Sequence, residues 1–167
     1  RNIAESFCEL AENKNLNYQL DIEPDIEWNT DISCFNKIAN NLISNAFKYT
    51  PNGKLIRVFI REDEGTVAIG VQDQGIGIPE NKKKSLFVRF ENLVDKNLFN
   101  QASTGIGLSL VKELVEMHKA TISVDSRLGE GSCFKIDFLK GKEHYDKETE
   151  FILEDAEAPV RMGQVVD

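Results

Sequence analysis

No stretch of the 167-residue sequence approaches the roughly 18 consecutive apolar residues that a membrane-spanning helix needs, which argues against such a helix in this chain. Basic residues are also in short supply, with 20 Lys and Arg against 28 Asp and Glu and a formal net charge of −8. Affinity for a phosphate backbone comes from clustered cations, so direct nucleic-acid binding is not expected, and an anionic ligand has to be held by local devices. The three cysteines, Cys8, Cys34 and Cys133, are far apart, odd in number and without metal-ligand spacing. That usage fits a reducing, cytoplasmic compartment. There is no charged-then-apolar leader, and the chain opens on Arg1. It is therefore expected to be an excised portion of a longer protein and not a secreted one. No internal repeat is visible.

What is present is 41% apolar and 29% charged residues, in a length that suits one domain able to bury roughly 70% of its unfolded surface. Apolar residues at helical spacing (Ile3, Phe7, Leu10, Ala11) predict a helix over 3–13. From Asn15, alternation of Leu16, Tyr18, Leu20 and Ile22 predicts a strand that Pro24 ends. Thr30 or Asp31 is placed to cap a long helix whose stripe of Ile32, Phe35, Ala39, Leu42, Ala46 and Tyr49 would pack on a sheet, until Pro51, Asn52 and Gly53 stop it. A hairpin over 55–61 and 66–72, an irregular stretch over 73–104, a helix from about Gly105 to His118, and strands over 121–125 and 132–138 follow. The order predicts helices layered on one face of a mixed sheet, an α/β sandwich. Residues 140–167, rich in Glu, Asp and Lys, read as a linker.

Three constellations carry chemistry. In "NNLISNAFKYT", Asn41, Asn45 and Lys48 fall at i, i+4 and i+7 and so project along one line beside the apolar stripe. Amide oxygens can ligate a hard cation and an ammonium can donate to phosphate, so the set fits a Mg²⁺-nucleotide; a partly solvated polar edge has the same pattern. In "DQGIGIP", Asp73 ends a strand beside Gly75 and Gly77. A carboxylate there can accept from an exocyclic amino group while the missing side chains let a flat base approach, although a plain turn after a strand looks alike. In "STGIGLSLVKEL", a glycine pair opens an amphipathic helix, and its bare N–H groups form an anion site with the helix dipole. This motif lacks the third glycine of a dinucleotide fingerprint and the Gly-Lys-Ser/Thr ending of a P-loop.

In this order the pieces resemble the ATP-binding catalytic domain of sensor histidine kinases, within the superfamily that also holds DNA gyrase and the mismatch-repair ATPases. The resemblance covers about residues 1–139 and five motifs: the N box "NNLISNAFKYT", the G1 box "DQGIGIP", the F box "LFVRF", the G2 box "TGIGLSLVK" and a final "GEGSCF". The wording of residues 86–118 is most similar to hybrid two-component sensors of Bacteroides-like bacteria. The fold implied is a two-layer α/β sandwich of the Bergerat type, with a mixed sheet of about five strands covered on one face by three helices. The resemblance also implies site roles. Asn45, supported by Asn41, would hold Mg²⁺, Lys48 would contact phosphate, and Asn45 and Lys48 would be the catalytic pair. Tyr49 would lie against the adenine and Asp73 would accept from its N6 amino group, with Gly75 and Gly77 shaping that pocket. Phe87 and Phe90 would anchor an ATP lid. Thr104, Gly105 and Gly107, with the amide of Leu108, would bind phosphates, and Ser132 would replace the Thr usual near the base.

Some positions depart from the family pattern. Ser103 stands where a glycine is frequent, Ala120 replaces a glycine, and Asn92 occupies a place where many relatives carry a phosphate-contacting Arg, for which Arg89 is the nearest substitute. In hydrolytic relatives the first N-box position is a Glu that activates water. Here it is Asn41, whose amide cannot take a proton at neutral pH, so phosphoryl transfer is favoured over hydrolysis. Neither His118 nor His144 has the Glu/Asp-x-x-x-Pro context of a phosphoacceptor. The phosphoaccepting histidine is expected upstream, in a dimerising helical hairpin, and a receiver domain downstream. A nucleotide-binding regulatory module without turnover and a gyrase-type ATPase are the alternatives.

Overall fold

Buried apolar residues on two adjacent strands place a sheet face in the core, alternating with less buried positions on the first strand and running without interruption over 67–71 on the second. Ile56, Val58 and Ile60 are buried on one strand and Val67, Ile69 and Val71 on the next. The computed structural model describes residues 1–88 and 106–151. In chain order these form α1 (Asn2–Glu5), α2 (Cys8–Asn13), β1 (Asn17–Ile22), α3 (Ile32–Tyr49), β2 (Leu55–Asp63), β3 (Thr66–Asp73), α4 (Glu80–Lys83), α5 (Gly107–Met117), β4 (Thr121–Arg127) and β5 (Gly131–Leu139). The strands make one sheet in the order β1-β2-β3-β5-β4. β1 and β2 run parallel, which the α3 crossover permits, and the other pairs are antiparallel. The result is the expected two-layer α/β sandwich.

The core lies between the sheet and two long helices. α3 contributes Ile38, Leu42, Ile43, Ala46 and Phe47, and α5 contributes Leu108, Val111, Leu114 and Val115. Each fully buried Leu, Ile, Val or Phe contributes roughly 1.5–3 kcal/mol relative to exposure, so this interface fixes the helices on the sheet. Asp31 is the N-cap of α3: its carboxylate accepts the Cys34 N–H at 2.8 Å. That hydrogen bond holds the Asp31 carboxyl below the ordinary carboxylate range. The extended backbone of Thr50, followed by Pro51, ends the helix.

Several local features differ from the sequence expectation. The first helix is in two pieces because the Ser6 hydroxyl donates to the Ile3 carbonyl at 2.6 Å and competes with the backbone ladder. β1 starts at Asn17, not near Asn15; Asn15 takes φ 50° and the Leu16 N–H returns to the Ala11 carbonyl, a helix-ending turn that Asn tolerates. β2 and β4 extend beyond their predicted ends, and the short α4 was not anticipated. Past β5, the Tyr145 hydroxyl donates to the Asn29 carbonyl at 2.9 Å, so the chain here rests on the β1–α3 loop. Among the described residues, no helix is long and apolar enough to cross a membrane.

Candidate functional site

The C-terminal half of α3, the turn after β3, the start of α5 and the start of β5 meet around one pocket with about 460 Å³ of space that opens to solvent. Asp73 is its charged group and is 8% exposed. As the last residue of β3 it pairs in register with Ser132, and both face inward. The N–H groups of Gly75 (2.8 Å) and Ser132 (3.3 Å) both donate to Oδ1. Oδ2 accepts from no described residue. Burial pushes the Asp73 carboxyl up to about 6, against the lowering effect of those two donors. A half-satisfied acid of this kind, set among Ile76, Ile78, Leu108 and Phe134, suits a flat apolar ligand that carries one hydrogen-bond donor.

The turn carrying Asp73 is stitched on both sides. The Ile76 N–H donates to the Tyr49 carbonyl at the end of α3, and the Ile76 carbonyl accepts from Gly129 in the β4–β5 turn at 2.7 Å. Two glycines make this possible. A β carbon on Gly77 (φ 69°) would lie 1.9 Å from the Arg127 carbonyl oxygen, and one on Gly131 (φ 108°) would lie 2.0 Å from that of Asp73. Only a bare backbone allows these approaches. Gly75 is packed less tightly, with the Tyr49 carbonyl oxygen 2.6 Å from where its β carbon would stand, and it borders a second, open cleft.

On the α3–α5 side, Asn45 and Tyr49 line the pocket together with Ala46. Asn41, one turn earlier, donates from Nδ2 to the Lys37 carbonyl at 2.8 Å. Its Oδ1 lies 2.6 Å from the position a β carbon on Gly107 would take, so the Asn41 amide and the first residue of α5 adjoin. Lys48 Nζ stands 5.4 Å from the Tyr49 ring centroid. The side-chain oxygens of Asn41 and Asn45 on α3 are amides, which suit a hard cation, while the N-terminus of α5 suits an anion.

Of the residues singled out from sequence, Asn45, Tyr49, Asp73, Gly77, Leu108 and Ser132 line this one pocket. Asn41, Lys48, Gly75 and Gly107 lie around it as described, and Phe87 is partly buried against the core. Phe90, Thr104 and Gly105, with Arg89, Asn92 and Ser103, lie outside the described residues. Sequence reasoning missed Ala46, Ile76, Ile78 and Phe134, which look like ordinary core positions, and also Gly131 and Ser126, which stand behind the pocket. A glycine two residues after another in a hairpin turn was the available signal for Gly131. His118 is 4% exposed and bonded at both ring nitrogens, and the His144 ring lies against Tyr145 at a tilt of 41° with centroids 4.1 Å apart.

Comparison with known proteins agrees with this geometry. The sequence model for "Histidine kinase-, DNA gyrase B-, and HSP90-like ATPase" matches residues 30–142. The sensor histidine kinase TmoS of Ectopseudomonas mendocina is 39% identical over 137 residues, which is 81% of this chain and 14% of that protein. The chain thus spans about a seventh of that relative's length. Among solved structures, the catalytic domain of histidine kinase ThkA superposes with a TM-score of 0.73 at 23% identity, covering 84% of this chain and 89% of that one. ThkA in complex with the response regulator protein TrrA gives 0.72 at 22% identity, covering 87% and 40%. At these identities the structural likeness establishes the fold.

Proposed function

Because the chain belongs to the histidine kinase-, DNA gyrase B- and HSP90-like ATPases, as the ATP-binding catalytic domain of a sensor histidine kinase, we propose that it presents ATP to a histidine on a separate helical dimerisation domain. The observation that carries this reading is Asp73, a buried carboxylate with Oδ1 held by two backbone amides and Oδ2 open to an apolar slot. Its open oxygen suits the N6 amino group of adenine, with Tyr49 and Ser132 flanking the base and Gly75 and Gly77 giving it room.

The triphosphate would extend toward Lys48, Gly107 and the Leu108 amide, with Thr104 and Gly105 preceding them and Phe87 and Phe90 anchoring the lid. The Asn45 amide, supported by Asn41, would hold Mg²⁺, which neutralises charge on the phosphates when bound. In the transfer, a nitrogen of the acceptor histidine bonds to the γ-phosphorus as the bridging oxygen leaves with ADP. The chain's contribution is positioning and charge neutralisation, with Asn45 and Lys48 closest to the reacting group. Asn41 cannot act as a general base, and its Nδ2 is engaged with Lys37, so water is not activated there.

The proposed organisation is a catalytic domain over 1–139 and a linker over 140–167, with the phosphoacceptor domain upstream and a response-regulator receiver domain downstream, all on the cytoplasmic side of a membrane-anchored sensor. ThkA was solved with a response regulator, which supports that class of partner. The test is to mix the chain with a separate phosphoacceptor hairpin and γ-labelled ATP. Acid-labile label on the hairpin is expected. ATP binding without transfer would instead indicate a regulatory module, and steady phosphate release by the chain alone would indicate a gyrase-type ATPase.

A further inference from the structure

Behind the pocket, Ser126 on β4 is 3% exposed and makes three hydrogen bonds. Its Oγ accepts the Ile78 N–H at 2.8 Å, lies 2.9 Å from the Gly131 carbonyl oxygen, and lies 2.9 Å from Ser132 Oγ. A hydroxyl has one proton and two lone pairs. A carbonyl only accepts, so the contact with Gly131 uses the Ser126 proton. None is left for Ser132, which must donate its own. Both lone pairs of Ser126 are then filled, by Ile78 and by Ser132. The Ser132 proton points away from the pocket, and its oxygen offers the pocket lone pairs alone. Asp73 beside it, register partner of Ser132 on the neighbouring strand, is also an acceptor.

We infer that Ser126, which does not itself line the pocket, sets base specificity: by taking the Ser132 proton it makes the polar wall acceptor-only, which admits a 6-amino purine and rejects a 6-oxo purine. The inference rests on the proposed nucleotide site and extends it to a positioning residue outside that site. A purine with an amino group at C6 meets two acceptors with its donors. A purine with a carbonyl there can still offer its N1–H to one acceptor, but it sets the O6 lone pairs against the lone pairs of the wall, and desolvates an oxygen for which the wall has no proton. Removing the Ser126 hydroxyl frees the Ser132 proton to turn into the pocket, where it can donate to a 6-oxo group.

The experiment measures dissociation constants of the 167-residue chain for ATP and for inosine triphosphate, which carries a carbonyl in place of the amino group, in wild type, Ser126→Ala, Ser132→Ala and the double variant. Wild type is expected to prefer ATP. Ser126→Ala should weaken ATP, tighten inosine triphosphate, and reduce their ratio by about three- to tenfold, the range of one neutral hydrogen bond. General damage to the fold would weaken both nucleotides together. In the Ser132→Ala background, adding Ser126→Ala should leave the ratio unchanged. A ratio that does not move in Ser126→Ala, or that moves equally without Ser132, overturns the inference while the nucleotide site itself stands. Wild-type protein that binds neither nucleotide removes the proposed function and this inference with it. Should Ser126→Ala not fold, Ser132→Ala decides alone: it must lower the ratio, and an unchanged ratio overturns the inference.

Discussion

His118, the residue that closes α5, accepts the backbone N–H of Asp31, the residue that caps α3, at 3.2 Å. Its Nδ1 lies 2.7 Å from the Leu114 carbonyl oxygen. The carbonyl only accepts and the Asp31 N–H only donates, so the ring is the neutral tautomer with its proton on Nδ1. One imidazole thereby ties together the ends of the two helices whose other portions hold the candidate site, and it packs edge-on against Phe138. Its role in the fold is that of a clamp.

His118→Ala removes both bonds and leaves a cavity. The expected loss of unfolding free energy is about 3 kcal/mol, read from denaturant titration. A loss under about 1 kcal/mol would show that neighbouring groups replace the ring.

Asp73→Asn separates stability from binding. In the ligand-free domain at pH 7, burial of the ionised Asp73 carboxylate is unfavourable, as its rise from 3.8 to about 6 records. That shift corresponds to about 3 kcal/mol at most. The neutral amide keeps an oxygen for Gly75 and Ser132, so the variant should melt at a higher temperature without ligand. It should bind ATP more weakly, by about 1.5–3 kcal/mol, and lose preference over GTP. Calorimetry and nucleotide titration check the two halves, and a variant that melts lower would contradict the first.

The same residue predicts opposite pH trends for folding and for binding. Because the folded value lies above the unfolded one, the stability Asp73 contributes is full below about pH 4 and is lost as pH rises through about 6. Protonation would fall on Oδ2, since Oδ1 is engaged with two N–H donors, and would turn the open acceptor into a donor. Adenine-nucleotide affinity should therefore increase from pH 5 to pH 7. Titrations across that range in wild type and Asp73→Asn should show the slope only in wild type.

Gly129, in the β4–β5 turn, and Gly131, which opens β5, predict different outcomes. Alanine at Gly131 places a methyl group against the Asp73 carbonyl, whereas around Gly129 (φ 82°) nothing lies within 4 Å. Gly129→Ala should cost about 1 kcal/mol from backbone strain alone. Gly131→Ala should cost more than about 2 kcal/mol and impair ATP binding, because the acid must shift to make space. Equal effects at the two positions would mean that the close approach has no role.

Where a local period of two or four residues decides structure, the sequence was legible: α3 over Ile32–Tyr49 and the β2–β3 hairpin follow directly from it. Competition between nearby groups was not legible, as at Ser6, whose hydroxyl breaks a continuous helical pattern. For the site, residues whose side chains interrupt a pattern stood out, such as Asp73 at a strand end and Asn45 beside an apolar stripe. Ser126 did not, because along β4 it is one more inward position. Its meaning arises from the register that sets it opposite Ser132, a cross-strand fact that no single segment carries. Phe134 and Ile78 were hidden for the related reason that a pocket floor is also a core.

Sheet order has a consequence for how the protein comes apart. β1 and β4 form the margins, while β3 and β5, which carry Asp73 and Ser132, each have a neighbour on both sides. Fraying begins at margins, and strands flanked on either side exchange their amide protons mainly through global opening. Asp73 and Ser132 thus lie on flanked strands, whereas Ser126 lies on the β4 margin, so opening of that margin would release the Ser132 proton and cost the molecule its choice of base before it lost the acid.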